Sequence, residues 1–93
     1  MVNIYINNEL TTEVQFPVTE VGMFSTVRGV VENPYPDRVT IISFTPEDED
    51  VTVEEIPQIL QGHESGEFVL KFSPPVERRT PLRTSFEMKV VIG

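Results

Sequence analysis

The sequence has no cysteine, no tryptophan and a single histidine, His63. Without cysteine there is no disulfide and no thiolate metal site. With one histidine besides, the ligand set of a zinc centre is missing. Small secreted domains often lean on disulfides, so their absence favours an intracellular reading. The opening stretch, MVNIYINNEL, has neither a basic segment nor an apolar one, so no signal peptide is expected there. The expected site of production is therefore inside the cell, with a virion as one destination. No apolar run is long enough to cross a membrane as a helix. Basic residues are also scarce, seven against fifteen acidic ones, for a net charge of −8. That balance speaks against nucleic acid and against an anionic membrane, because phosphate surfaces attract cations. No glycine-rich phosphate loop or dinucleotide fingerprint occurs, and no cofactor is expected. A length of 93 residues suits one domain, 1–93, with one thin core.

What the sequence does have is alternation. Phe68, Leu70 and Phe72 alternate with Val69, Lys71 and Ser73. Phe86, Met88, Val90 and Ile92 alternate with Glu87, Lys89 and Val91. Val39 and Ile41 flank Thr40, in a run that continues to Phe44; Ile4 and Ile6 flank Tyr5, and Val14 and Phe16 flank Gln15. Val27, Gly29 and Val31 form a further inward set, with Gly29 marking a close backbone approach or a bulge. A period of two sends alternate side chains to opposite faces of a strand. Between the runs lie turn-forming stretches: NNEL, ENPYPDR, TPEDED, QGHESG and SPPVERRTPLR. Most of the eight prolines fall there, where no ladder hydrogen bond is needed. The expected strands are 2–7, 12–17, 24–33, 38–45, 51–54, 66–73 and 84–92. VEEIPQIL is the one helical candidate, and Pro57 limits it to a single turn. In QGHESG, Gly62 and Gly66 are expected to supply positive φ. The reading is an all-β, antiparallel sandwich of about seven strands in two sheets.

From Phe16 onward the chain resembles the immunoglobulin-like domains of the ASH and major-sperm-protein type. The resemblance rests on EVGMFSTVRGVVENPYPDRVTIISF, on ILQGHESGEFVLKFSPP and on LRTSFEMKVVIG. These place a glycine before a Ser/Thr-bearing strand that ends in Asn33, a glycine turn with Glu64-Ser65, an alternating strand closed by Phe-x-Pro, and a final strand. The resemblance implies an immunoglobulin-like seven-stranded sandwich used for protein interaction or as a spacer, and it carries no catalytic residue across. Residues 1–15 lie outside the pattern and would form an extra hairpin or an exchangeable arm.

No residue reads as catalytic, cofactor-binding or metal-ligating. His63, Glu64 and Ser65 share one Gly-flanked turn, with nothing to desolvate a triad. Glu47, Asp48, Glu49 and Asp50 match a calcium loop only in charge; the glycine and closing glutamate of such a loop are missing. Tyr5, Phe16, Phe24 and Tyr35 are the residues a sugar-stacking face would use. The preferred contact candidates are for protein. Tyr35 is held between Pro34 and Pro36, so little entropy is lost on binding. Arg78, Arg79 and Arg83 suit a carboxylate-bearing surface, and Ile4 and Ile6 suit an arm that adds to a neighbour's sheet. Residues 84–92 are the other candidate donor strand. Acidic residues at 47–55 and basic ones at 78–83 suggest oppositely charged ends that would associate head to tail, or else two solvated loops. The expected function is a non-enzymatic structural or interaction module, such as a decoration or cement subunit of a viral capsid. The alternative is an accessory domain that binds carbohydrate or calcium.

Overall fold

The computed structural model describes all residues from Met1 to Gly93. Nine strands follow one another: β1 (Asn3–Ile6), β2 (Glu9–Leu10), β3 (Glu13–Phe16), β4 (Ser25–Glu32), β5 (Val39–Pro46), β6 (Val51–Glu55), β7 (Ile59–Leu60), β8 (Ser65–Phe72) and β9 (Leu82–Ile92). There is no helix. One sheet runs β2-β1-β4-β8-β6 and the other β3-β9-β5-β7, with every pairing antiparallel. The seven expected strands are all present. β2 and β7, two residues each, are too short for an alternation to show. VEEIPQIL makes no helical turn: Val53–Glu55 finish β6, and beyond Pro57 the chain enters β7. Pro57 removes the amide a helix needs, and β-pairing to β5 takes the rest.

Alternation becomes packing as the sequence implies, with two exceptions: Val69 of the outward set is buried, and Ile92 of the inward set is exposed. Phe68, Leu70 and Phe72 of β8 are at most 1% exposed and meet Phe16, Leu82 and Phe86 across the sandwich. Five of the six phenylalanines pack here. Phe44 stands edge-on to Phe68 and to Phe86, each at 5.1 Å, and Phe16 lies 5.5 Å from Phe72. Each such side chain contributes about 1.5–3 kcal/mol on burial. The step from Ile41 to Phe44 in β5 is a bulge. The register against β9 shifts between Ile41 and Ser43, and the extra residue, Ile42, is turned out to solvent. Gly29 lies in β4 beneath Phe68, its cross-strand partner. A Cβ there would stand 2.2 Å from the Phe68 ring and 2.8 Å from the Tyr5 carbonyl oxygen. The approach is thus of a ring and a backbone, with no bulge in β4.

Two-residue turns fix the ends of several strands. Asn7 and Asn8, at φ 53° and 64°, join β1 to β2. Positive φ at both central residues gives the twist that suits a tight hairpin. In QGHESG, Glu64 N–H donates to the Gln61 carbonyl at 3.0 Å, and the residue with positive φ is His63, at 61°. The expectation of positive φ at Gly62 and Gly66 is therefore corrected. Gly62 is needed for a different reason: a Cβ would stand 2.1 Å from the Pro36 carbonyl oxygen. A left-handed L-residue costs roughly 1–2 kcal/mol. His63→Gly is therefore expected to raise the unfolding free energy by about 0.5 kcal/mol after glycine's entropy is subtracted. His63→Ala, which keeps the Cβ, is expected to change it by a few tenths. Chemical denaturation of the two variants checks both.

The other donor-strand candidate, 84–92, lies in β9: it pairs with β3 over Leu82–Ser85 and with β5 over Phe86–Ile92, so beyond Phe86 its β3 side has no strand partner.

Candidate interaction surfaces

The connections sort to the two ends of a body 45 × 22 × 16 Å in extent. Phe16 pairs with Leu82, Ser25 and Val51 with Phe72, and Pro46 with Phe86. Loops 17–24, 47–50 and 73–81 therefore share one end. Loop 33–38 and the turn at 61–64 share the other, where His63 N–H donates to the Tyr35 carbonyl at 3.0 Å. The acidic and basic loops thus lie side by side, and the picture of one acidic and one basic end is corrected.

At the first end, loop 17–24 is fixed from within. Thr19, 5% exposed, donates through its hydroxyl to the Pro17 carbonyl at 2.8 Å and accepts from Ser25 Oγ at 2.6 Å. Gly22, at φ 85°, closes a turn in which Met23 N–H donates to the Glu20 carbonyl. That geometry leaves Val18, Val21, Met23 and Phe24 outside, and Val76 of the neighbouring loop joins them; all five are between 51% and 65% exposed. Val18, Val21, Glu20, Glu77, Arg78 and Arg79 line a depression of about 650 Å³ between the two loops. Arg78 folds over the core, its guanidinium carbon 5.8 Å from the Phe72 ring centre, and its Nε is buried with no acceptor. Arg79 is exposed and 3.8 Å from Glu77. The Lys71 ammonium sits 4.5 Å above the Phe24 ring.

The sequence-derived candidates do not gather in one place. Arg78 and Arg79 belong to this end. Arg83, on β9, reaches Gln15 Oε1 at 3.5 Å on the β3 flank. Tyr35, with the exposed Pro34 and Pro36, belongs to the far end. There Asn33, fully buried, donates from Nδ2 to the carbonyls of Asp37, Leu60 and Gln61, and its Oδ1 accepts from Tyr35 N–H at 2.9 Å. Ile4 and Ile6 are partly buried and pack on the core, so β1 offers its side chains inward. Loop 17–24 was missed as a surface. Its signal is a cluster of Val, Met and Phe in PVTEVGMF with no strand alternation to bury it.

Other chemistry finds no site. His63 is exposed, and its neighbour Glu64 is engaged with the Gln61 N–H at 3.1 Å. No three His, Cys, Asp or Glu side chains are placed to hold a metal ion. In the acidic loop, Glu47 bonds the Ser85 hydroxyl and Asp48 Oδ1 accepts from Asp50 N–H at 2.8 Å. The four aromatics of the sugar-face reading are dispersed: Phe16 is core, Phe24 and Tyr35 lie at opposite ends, and Tyr5 is on β1.

No protein-family model matches the chain, and no curated protein matches it in sequence. Among solved structures, the ASH/PapD-like domain of human CEP192 (PapD-like domain 7) is similar, with a TM-score of 0.58 and 17% identity, over 86% of this chain and 71% of that one. The chain has the immunoglobulin-like β-sandwich fold of the ASH/PapD-like domains.

Proposed function

We propose that this chain is a non-enzymatic protein-interaction module, docked onto a larger assembly through the end built by loops 17–24 and 73–81. The observation that carries the reading is the five apolar side chains held outward there by an internally hydrogen-bonded loop. Exposed apolar groups clustered beside arginines are what a docking surface needs: area to bury at the centre and guanidinium forks at the rim. Arg79, whose side chain is 90% exposed, is the guanidinium that a partner's carboxylate would reach.

The finer form of the proposal is a decoration subunit on a viral capsid; the small acidic body with a fixed apolar end suits such a role. A photo-crosslinking residue at Met23 or Val76, in the native source, is expected to give one discrete protein adduct. The same residue at Glu87 on an outer sheet face is expected to give none. The capsid form requires the adduct to be a shell protein. Equal labelling from all three positions, or saturable binding of calcium or a glycan by the purified chain, would sink the proposal.

A further inference from the structure

We infer that the flank between β5 and β6 receives an extended segment of another protein that carries basic side chains, added as a strand along β6. β6 closes its sheet, paired only with β8 through a register shift between Val53 and Glu55, so its other side has no strand partner; on that stretch Val51 N–H donates to the Asp48 carbonyl at 3.2 Å. β5 is nearly as open on the same flank. β7 covers only Val39 and Thr40, and Ile41 N–H donates to the Gln58 carbonyl. From Ile42 to Pro46 that edge has no strand partner. The two open edges border a groove of about 440 Å³, where Ile42, Phe44, Val53, Ile56 and Pro57 supply apolar walls. An unpaired edge beside an apolar groove offers the two things an added strand uses: a hydrogen-bond ladder and pockets for alternate side chains.

Charge selects the occupant. Glu47, Asp48, Glu49, Asp50, Glu54 and Glu55 all lie in this loop and strand. Lys71 pairs with Glu54 at 3.5 Å, while Glu49, Asp50 and Glu55 take part in no ion pair. Two copies meeting edge to edge would set Glu54 and Glu55 against their own kind, which opposes pairing. The chain's own basic segment cannot fill the flank either. Pro74, Pro75 and Pro81 interrupt it, Arg78 is folded over Phe72, and Arg83 is paired within the sheet to Gln15. The acidic guard that repels acidic strands favours a basic one. The fitting segment is about as long as β6, with apolar residues facing the groove and lysine or arginine between them.

The test uses the whole chain and a labelled heptapeptide that alternates lysine and valine, followed by fluorescence anisotropy. Saturable binding is expected, with amide shift changes confined to residues 42–46 and 51–57. N-methylating one alternate set of peptide amides is expected to abolish binding, while methylating the other set is tolerated, because a strand pairs through one edge only. Glu54→Gln combined with Glu55→Lys, both at exposed side chains, should weaken binding at least tenfold. Three results would each overturn the inference: equal binding by both methylated peptides, which marks plain charge attraction; equal binding by the peptide with glutamate in place of lysine; or shift changes centred on loops 17–24 and 73–81.

Discussion

Phe72→Ala is expected to lower the unfolding free energy by about 3–5 kcal/mol. The ring is 1% exposed, 5.5 Å from Phe16, and roofed by the Arg78 guanidinium. Removing it forfeits the transfer term and leaves a cavity the stiff sheets cannot close. Tilted and edge-on aromatic contacts add about 0.5–1.5 kcal/mol beyond area. Against a total of about 5–15 kcal/mol for a domain of this size, the loss takes much of the margin. Urea denaturation should show a lower midpoint at an unchanged slope. Glu67→Gln, one residue before Phe68 and therefore on the opposite face, removes only an exposed 3.8 Å contact to Arg28 and should cost at most about 0.5 kcal/mol. A loss of only a few tenths for Phe72→Ala would mean that the inward set of β8 is inverted. The same variant bears on the docking end. Arg78 rests on this ring, so amides of loop 73–81 should exchange faster in Phe72→Ala than global unfolding alone explains.

The sandwich was legible because one physical signal repeats in it. Phe68, Leu70 and Phe72 must share a face if the chain is extended, and the prolines at 74, 75 and 81 must lie beyond a ladder. Even the bulge left a mark, in the three-residue step from Ile41 to Phe44. Other features depend on contacts between distant residues and left none. The left-handed residue is His63, and Gly62 is required by the close Pro36 carbonyl; no local pattern records either. Val18, Val21, Met23 and Phe24 are the residue types a core uses; the inward anchoring of Thr19 and the turn at Gly22 place them outside. The shared end of the acidic and basic loops is a different case. β6 leaves that end and β8 returns to it, so strand direction alone implies the adjacency, and counting charges along the chain misses it.

Asn33→Leu is expected to cost about 2–4 kcal/mol, although leucine is far more apolar. Asn33 is 0% exposed, and its amide ties the end of β4 to loop 33–38 and to the end of β7. Its Nδ2 serves the carbonyls of Asp37 at 2.8 Å, Gln61 at 2.9 Å and Leu60 at 3.2 Å, and its Oδ1 holds Tyr35 N–H. Burial of the leucine side chain returns about 1.5–3 kcal/mol. Each buried group left without a partner costs about 1–3 kcal/mol. Asp37 and Gln61 are exposed residues, so water reaches part of that loss, and the Leu60 carbonyl, in the buried contact, bears the most. The signature is local as well as global. His63 N–H is held by the Tyr35 carbonyl, and with loop 33–38 released its exchange protection should fall further than that of core amides in β8. Asn33→Asp is the sharper variant: it keeps the acceptor for Tyr35 N–H but turns a carboxylate oxygen toward three carbonyls, so it should destabilise at least as much. A loss below about 1 kcal/mol with the His63 amide still protected would mean that Pro34 and Pro36 alone hold Tyr35 in place, and the far end would then owe its rigidity to backbone restriction and not to this one buried amide.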